Sequence, residues 1–266
     1  MVDAEELVAV TRFGARLQRQ HAAWLWTRLR ANVPDALAVV LMPDRAHMIA
    51  PAGRRPQLVR VLAAFTGVFR ISFDVWPAAR AERLAIATKM IGDAFDRPVR
   101  EGLCTDPWAW RWSTLRDLGG AADPIWTSAS RIADALGVAP SRLVATLTRF
   151  APPQRVPNLL ATFAGLRAGV AAALRIDRDE VDRSSRSRRL VAQAAAAIEM
   201  PNVRRLAVEL GWSERTLFRD RAARDDALDA VLLCLSDARL YGDPIPADAT
   251  HPIAVGRRGW QGSGRA

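Results

Sequence analysis

The residues of the N-terminal half best suited to chemistry stand in LMPDRAHMIA, residues 41–50. Asp44, Arg45 and His47 sit there between two apolar runs. A neutral imidazole offers a lone pair to a metal ion, or accepts a proton near neutral pH. A guanidinium stays protonated and only donates, so Arg45 cannot ligate a metal. The plain alternative is a hairpin turn, because proline lacks the donor a strand ladder needs and Pro43-Asp44 favours a turn.

A second group of candidates lies in VRRLAVELGWSERTLFRDR, residues 203–221. Ala207 permits close helix crossing, Gly211 supplies a tight turn, Ser213 can cap the following helix and Leu217 points back into the pair. That spacing is the helix-turn-helix of DNA-binding proteins. Ser213, Glu214, Arg215, Phe218 and Arg219 then fall on the exposed N-terminal face of the second helix, the face that enters a major groove. Asp220 departs from the pattern, since an apolar residue usually seals the pair there. A helical hairpin that merely packs on the rest of the chain is the alternative.

The elements that must position these residues can be read in order. LVAVTRF at 6–12 is a β-type run, and 16–31 carries apolar groups at helical spacing. ALAVVLM reads as a strand, PDRA as a turn and HMIA as a second, antiparallel strand. Residues 56–69 read as a helix opened by proline, and RISFDV at 70–75 alternates as a strand does. The order is βαββαβ, the ferredoxin-like arrangement. From Pro77 the chain turns helical, with an amphipathic helix at 78–95 and a compact stretch from 96 to 120. A helix pair follows at 128–150, then a breaker at 151–157. The mixed-charge run 175–189 reads as a solvated face or linker, and 189–200 as the helix supporting the second motif. Trp108, Trp110 and Trp112 alternate, which puts all three on one side of an extended segment and favours packing over base stacking.

At 266 residues, 50% apolar and 25% charged, the chain can bury a real core and is not of the disordered class. The net charge of +10 is carried almost wholly by arginine, Lys89 being the only lysine. Such a balance favours a polyanionic partner, most often nucleic acid. Cys104 and Cys234 match no metal or redox spacing and read as buried small residues in a reducing compartment. The acidic start MVDAEEL is not that of a signal peptide, and the apolar run 159–174 is too short for a bilayer and carries Arg167. The expectation is a cytoplasmic protein without a membrane partner.

LMPDRAHMI resembles the Leu-Met-Pro, Asn-His-x-His signature of the REP-associated tyrosine transposases, single-tyrosine members of the HUH class. His47 falls on the second histidine of the pair and Arg45 on the first. RPVREGLCTDPWAWRWSTLRDLGG at 97–120 is similar to the family's Asn-Pro-Val-Arg-Ala-Gly-Leu stretch and its Pro-x-x-Tyr-x-Trp-Ser-Ser-Tyr. Matching types there are Pro98, Val99, Arg100, Gly102, Leu103, Pro107, Trp112 and Ser113. The resemblance covers about residues 6–150, and segment 186–222 is similar to the C-terminal helix-turn-helix that some of these transposases carry. It implies a histidine pair holding a divalent metal, magnesium or manganese, and a tyrosine that attacks the scissile phosphate.

Both parts are incomplete here. Arg45 replaces one ligand, which leaves His47 as a remnant of the catalytic and metal site, and Phe65 and Phe69 stand on the helix where the tyrosine is sought. Tyr241, the only tyrosine, lies far along the chain. The expected class is thus α+β: a ferredoxin-like HUH transposase-like domain over 1–118, a helical extension over 119–174, a helix-turn-helix region over 175–242 and a flexible tail over 243–266. The function expected is binding of DNA, as single-stranded hairpin or duplex, without strand cleavage and without a cofactor, with a homodimer as a further possibility. The alternatives are an active transposase or nicking enzyme using a divalent metal, His47, an acid such as Asp44 and an unrecognised nucleophile, and a module that binds protein instead of DNA.

Overall fold

The computed structural model describes residues 6–13, 17, 19–66, 69–75, 80–155, 162–222 and 224–241. The N-terminal part runs β1 (Glu6–Phe13), α1 (Arg19–Asn32), β2 (Ala38–Leu41), β3 (Arg45–Pro51), α2 (Arg55–Thr66) and β4 (Phe69–Val75). These strands form one sheet of order β2-β3-β1-β4 in which every neighbouring pair is antiparallel. Two expected boundaries move. Arg45 and Ala46 belong to β3 and not to the turn, because Met42 N donates to Arg45 O at 2.7 Å and closes the hairpin within Pro43 and Asp44. The helix expected over 56–69 ends at Thr66, and Phe69 opens β4, paired in register with Phe13.

The sheet separates two apolar layers because strand side chains alternate. Ala46, Met48 and Ala50 of β3 face α1 and α2, joining Leu25, Leu29, Leu58 and Leu62 in one buried cluster. Ile49 and Val40 face the other way, in a cluster with Ile91 and Phe95 of α3 (Arg80–Arg100). Helix α3 outruns the expected 78–95 and carries Pro98 within it. Pro98 lacks the amide that would bond to Ala94, but the helix runs on past it and its end is closed by Glu101 N donating to Arg97 O at 3.0 Å and Leu103 N to Pro98 O at 2.8 Å.

Strand β2 would leave an open edge, which a return of the chain covers. Leu41 N donates to Trp112 O and Thr114 N to Val39 O, each at 2.9 Å. The three tryptophans therefore split between layers. A tight turn at Pro107–Ala109, capped by Asp106, breaks the extended geometry that would have aligned them. Trp108 and Trp110 enter the α3 layer, whereas Trp112 joins Trp26 and Trp126 in the α1 and α2 layer.

The remainder is helical: α4 (Leu115–Leu118), α5 (Ala129–Leu136), α6 (Pro140–Leu147), α7 (Phe163–Leu174), α8 (Arg178–Val181), α9 (Ser185–Ala197), α10 (Val203–Leu210), α11 (Glu214–Ala222) and α12 (Leu228–Ser236). Ser128, Thr162 and Ser184 cap α5, α7 and α9 by accepting from backbone amides three residues on. The α3 layer is continuous with the interior of these helices, from Leu37 to Leu240. The architecture is α+β, with an antiparallel sheet and a predominantly helical remainder.

The charged run at 175–189 is not uniformly solvated. Arg175 turns inward from a left-handed position at the end of α7 and meets Asp117 at 2.6 Å, with side chains 4% and 0% exposed. Asp117 also accepts from the Trp126 and Thr127 amides. Val181 and Ser187 are buried too. No helix among the described residues is long and apolar enough to cross a membrane. The tail expected over 243–266 lies outside the described residues.

Candidate functional site

His47 sits in an interior strand, opposite Val10 of β1 and Val40 of β2. Its Nε2 is buried with no hydrogen-bond partner among the described residues. Burial above all, then the positive charges of Arg97 and Arg45, lower its pKa from 6.5 to about 4, against a weaker pull from Asp44. The imidazole is accordingly neutral at physiological pH.

Two residues before it, Arg45 is clamped. Its Nη2 donates to Asp44 Oδ2 at 2.5 Å and its Nε to Oδ1 at 3.0 Å, while Nη1 lies 3.2 Å from Glu101 Oε1. The same Glu101 oxygen lies 3.0 Å from Arg97 Nε, one helical turn back. The hydrogen bond to Asp44 is the main reason that the Arg45 guanidinium is held above its ordinary pKa. Two acids and two arginines thus close into a neutral chain beside a neutral histidine. Arg97 and Glu101 escape notice in the sequence when the helix is ended at residue 95. Their spacing of four residues is the signal that could have found them.

This donor set does not fit a resident divalent cation. Among the described residues Asp44 and Glu101 are already engaged by guanidiniums, and Arg45, where a second imidazole is expected, repels a cation. Among the described residues no group of three or more histidines, cysteines, aspartates or glutamates could hold a metal ion. Phe65 lies in α2 and Phe69 in β4, and neither residue type has an oxygen with which to attack. Tyr241 is set just beyond α12, its hydroxyl donating to Leu235 O at 3.1 Å, and burial raises its pKa. The site at His47 therefore lacks an activated nucleophile among the groups the sequence named.

The second candidate surface is built by α9, α10 and α11. Gly211 ends α10 at φ 65°, a left-handed conformation that suits glycine, and directs the chain into α11. Ser213 Oγ accepts from Thr216 N at 3.1 Å, capping the new helix. Leu206, Ala207, Leu210 and Leu217 are buried between the helices. Ser213, Glu214, Arg215, Phe218 and Arg219 are all exposed. The seal that Asp220 is expected to lack is polar: buried Gln193 of α9 donates to Asp220 O at 3.2 Å and accepts from Asp225 N at 3.1 Å. Arg204 Nε meets Glu214 Oε1 at 3.2 Å, and Arg219 Nε meets Asp220 Oδ1 at 3.0 Å.

Comparison with protein-family models, with curated proteins and with solved structures finds no match to this chain.

Proposed function

We propose that this chain is a DNA-binding protein on a scaffold resembling the REP-associated single-tyrosine transposases, reading duplex DNA through α11 and without strand-cleavage activity. The observation that carries this reading is the presentation of Arg215, Phe218 and Arg219 on one exposed face of a helix whose opposite side is sealed by Leu217. The sequence of α10, Gly211 and α11, supported by α9, suits a helix-turn-helix. The strand order β2-β3-β1-β4 about a βαββαβ chain suits a ferredoxin-like domain. Loss of cleavage is supported by the clamp on Arg45, the solitary His47 and the committed Tyr241 hydroxyl.

On this reading no metal is required and the partner is nucleic acid. Two experiments test it. Log affinity for duplex DNA falls linearly with log salt concentration, by roughly 0.9 per phosphate neutralised. Single-stranded hairpin DNA incubated with the protein and manganese yields no covalent adduct on a denaturing gel, and a phosphotyrosine-linked band would refute the loss of cleavage.

A second reading has one observation in its favour. Val208 and Phe218 are apolar side chains 78% and 57% exposed on α10 and α11, which suits a protein partner. Affinity indifferent to salt would favour it.

A further inference from the structure

Helices α1 and α2 pack together on one face of the sheet and give their apolar stripes, including Leu25, Leu29, Leu58 and Leu62, to the core beneath. Their sequences have an unusual composition. The helices read RQHAAWLWTRLRAN and RPQLVRVLAAFT, with Arg19, Arg28, Arg30, Arg55 and Arg60 and neither an aspartate nor a glutamate. Elsewhere acids neutralise arginines locally, as Asp35 does Arg54, Asp93 does Arg100, and Asp123 and Asp225 do Arg186. Arg28 and Arg60 are exposed, and no carboxylate among the described residues pairs with either. One turn before Arg28 stands Trp24, 40% exposed, with the Arg28 guanidinium 5.6 Å from its ring centroid.

We infer that this outer face of α1 and α2 binds single-stranded nucleic acid, with a base stacked on Trp24 and phosphates held by Arg28 and Arg60. Exposed arginines on helices that carry no acid attract a polyanion. The exposed indole selects among polyanions, because a ring can stack on a base only where the base face is free, as in an unpaired strand. An anionic membrane is the other polyanion such helices could meet, but interfacial helices insert a broad apolar face. Here that face is spent on the core, and on these helices the large apolar side chains left exposed among the described residues are Trp24 and Val59. The surface lies on the face of the sheet opposite His47 and shares no residue with α11, so it extends the DNA-binding reading without depending on the α11 assignment.

The test uses the full chain and the anisotropy of a labelled oligothymidylate of about 16 nucleotides. Trp24→Ala weakens binding about tenfold, while Trp24→Phe, which keeps a ring, retains most of it. Arg28→Gln and Arg60→Gln each reduce the slope of log affinity against log salt by roughly 0.7. All four variants melt with the wild-type protein, and Arg215→Ala on α11 binds the oligonucleotide as wild type does. The inference is overturned if the wild-type protein does not bind the strand, or if Trp24→Ala and both arginine variants bind it unchanged. Equal competition by duplex of the same length, or binding to anionic lipid vesicles in place of the oligonucleotide, also overturns it. Loss of duplex binding in Arg215→Ala alone bears on the α11 reading and leaves this one standing.

Discussion

A histidine kept neutral by burial makes stability depend on pH, and His47 makes the size of that dependence calculable. In the unfolded chain its imidazole takes a proton near its ordinary pKa of 6.5, whereas in the folded protein it resists until about pH 4. Between those values the unfolded state binds more protons, so stability is complete above the upper pKa and falls as pH drops toward the lower one. Each tenfold difference in proton affinity between the two states is worth about 1.4 kcal/mol, so the full effect is about 3 kcal/mol, of which about 2 kcal/mol has been lost by about pH 5. His47→Leu removes the titrating group together with a buried nitrogen that has no hydrogen-bond partner among the described residues. Urea denaturation followed by tryptophan fluorescence, run near neutrality and near pH 5, measures both proteins. Wild type is expected to lose about 2 kcal/mol more than the variant over that interval, and added manganese is expected to leave its neutral midpoint in place. Parallel losses would show that His47 is not held neutral in the fold, and a manganese-dependent rise would restore it as a metal ligand.

Arg215→Ala and Arg219→Ala, both at exposed positions, are expected to weaken duplex binding by about 1–3 kcal/mol where the lost contact is to guanine, at unchanged melting temperature. A variant that unfolds instead contradicts the groove assignment. Asp117→Ala strips Arg175 of its buried partner and two backbone amides of their acceptor, with an expected cost of about 3–5 kcal/mol in chemical denaturation. A loss below about 1 kcal/mol would mean that the pair is solvated. Gln193→Ala leaves Asp220 O and Asp225 N without their side-chain partner, and about 1–3 kcal/mol of destabilisation is expected by the same measurement. An unchanged midpoint would show that the end of α11 is held by other contacts.

The N-terminal elements are legible in the sequence because period and punctuation agree. The fully buried β2 reads as an apolar run, and α2 starts one residue before its proline. Inferences from single residue types fail. Ending α3 ahead of Pro98 hides Arg97 and Glu101 from the candidate site, because the loss of one ladder bond at Pro98 does not stop the helix. The alternation of Trp108, Trp110 and Trp112 suggests extended chain, but a proline-initiated turn rotates the backbone between them. Arg175 looks like its solvated neighbours because charge patterning says nothing about direction, and direction is set by a left-handed residue at the end of α7. The clamp on Arg45 is invisible for a related reason, since its second arm joins β3 to Glu101, the residue that follows α3 and is distant in the sequence.

The same distinction governs the net charge of +10, which is not a surface property. Arg116 is fully buried, lies beside buried Arg111 and Arg175, and donates to the carbonyls of Trp108, Ala109 and Leu240 at 2.9–3.2 Å. These guanidiniums tie irregular backbone together from within, where backbone carbonyls need donors. On α11 part of the charge is held locally, since Glu214 pairs with Arg204 of α10 and Asp220 with Arg219. Such a helix gains less of the long-range attraction that makes DNA binding strong and salt-dependent than a surface without acids does. Helices α1 and α2, which carry no acid, have more of that attraction. If both surfaces act on the same nucleic acid, the sheet-side helices supply affinity for an unpaired strand and α11 supplies discrimination on an adjoining duplex. A junction carrying both should then bind more tightly than either part alone.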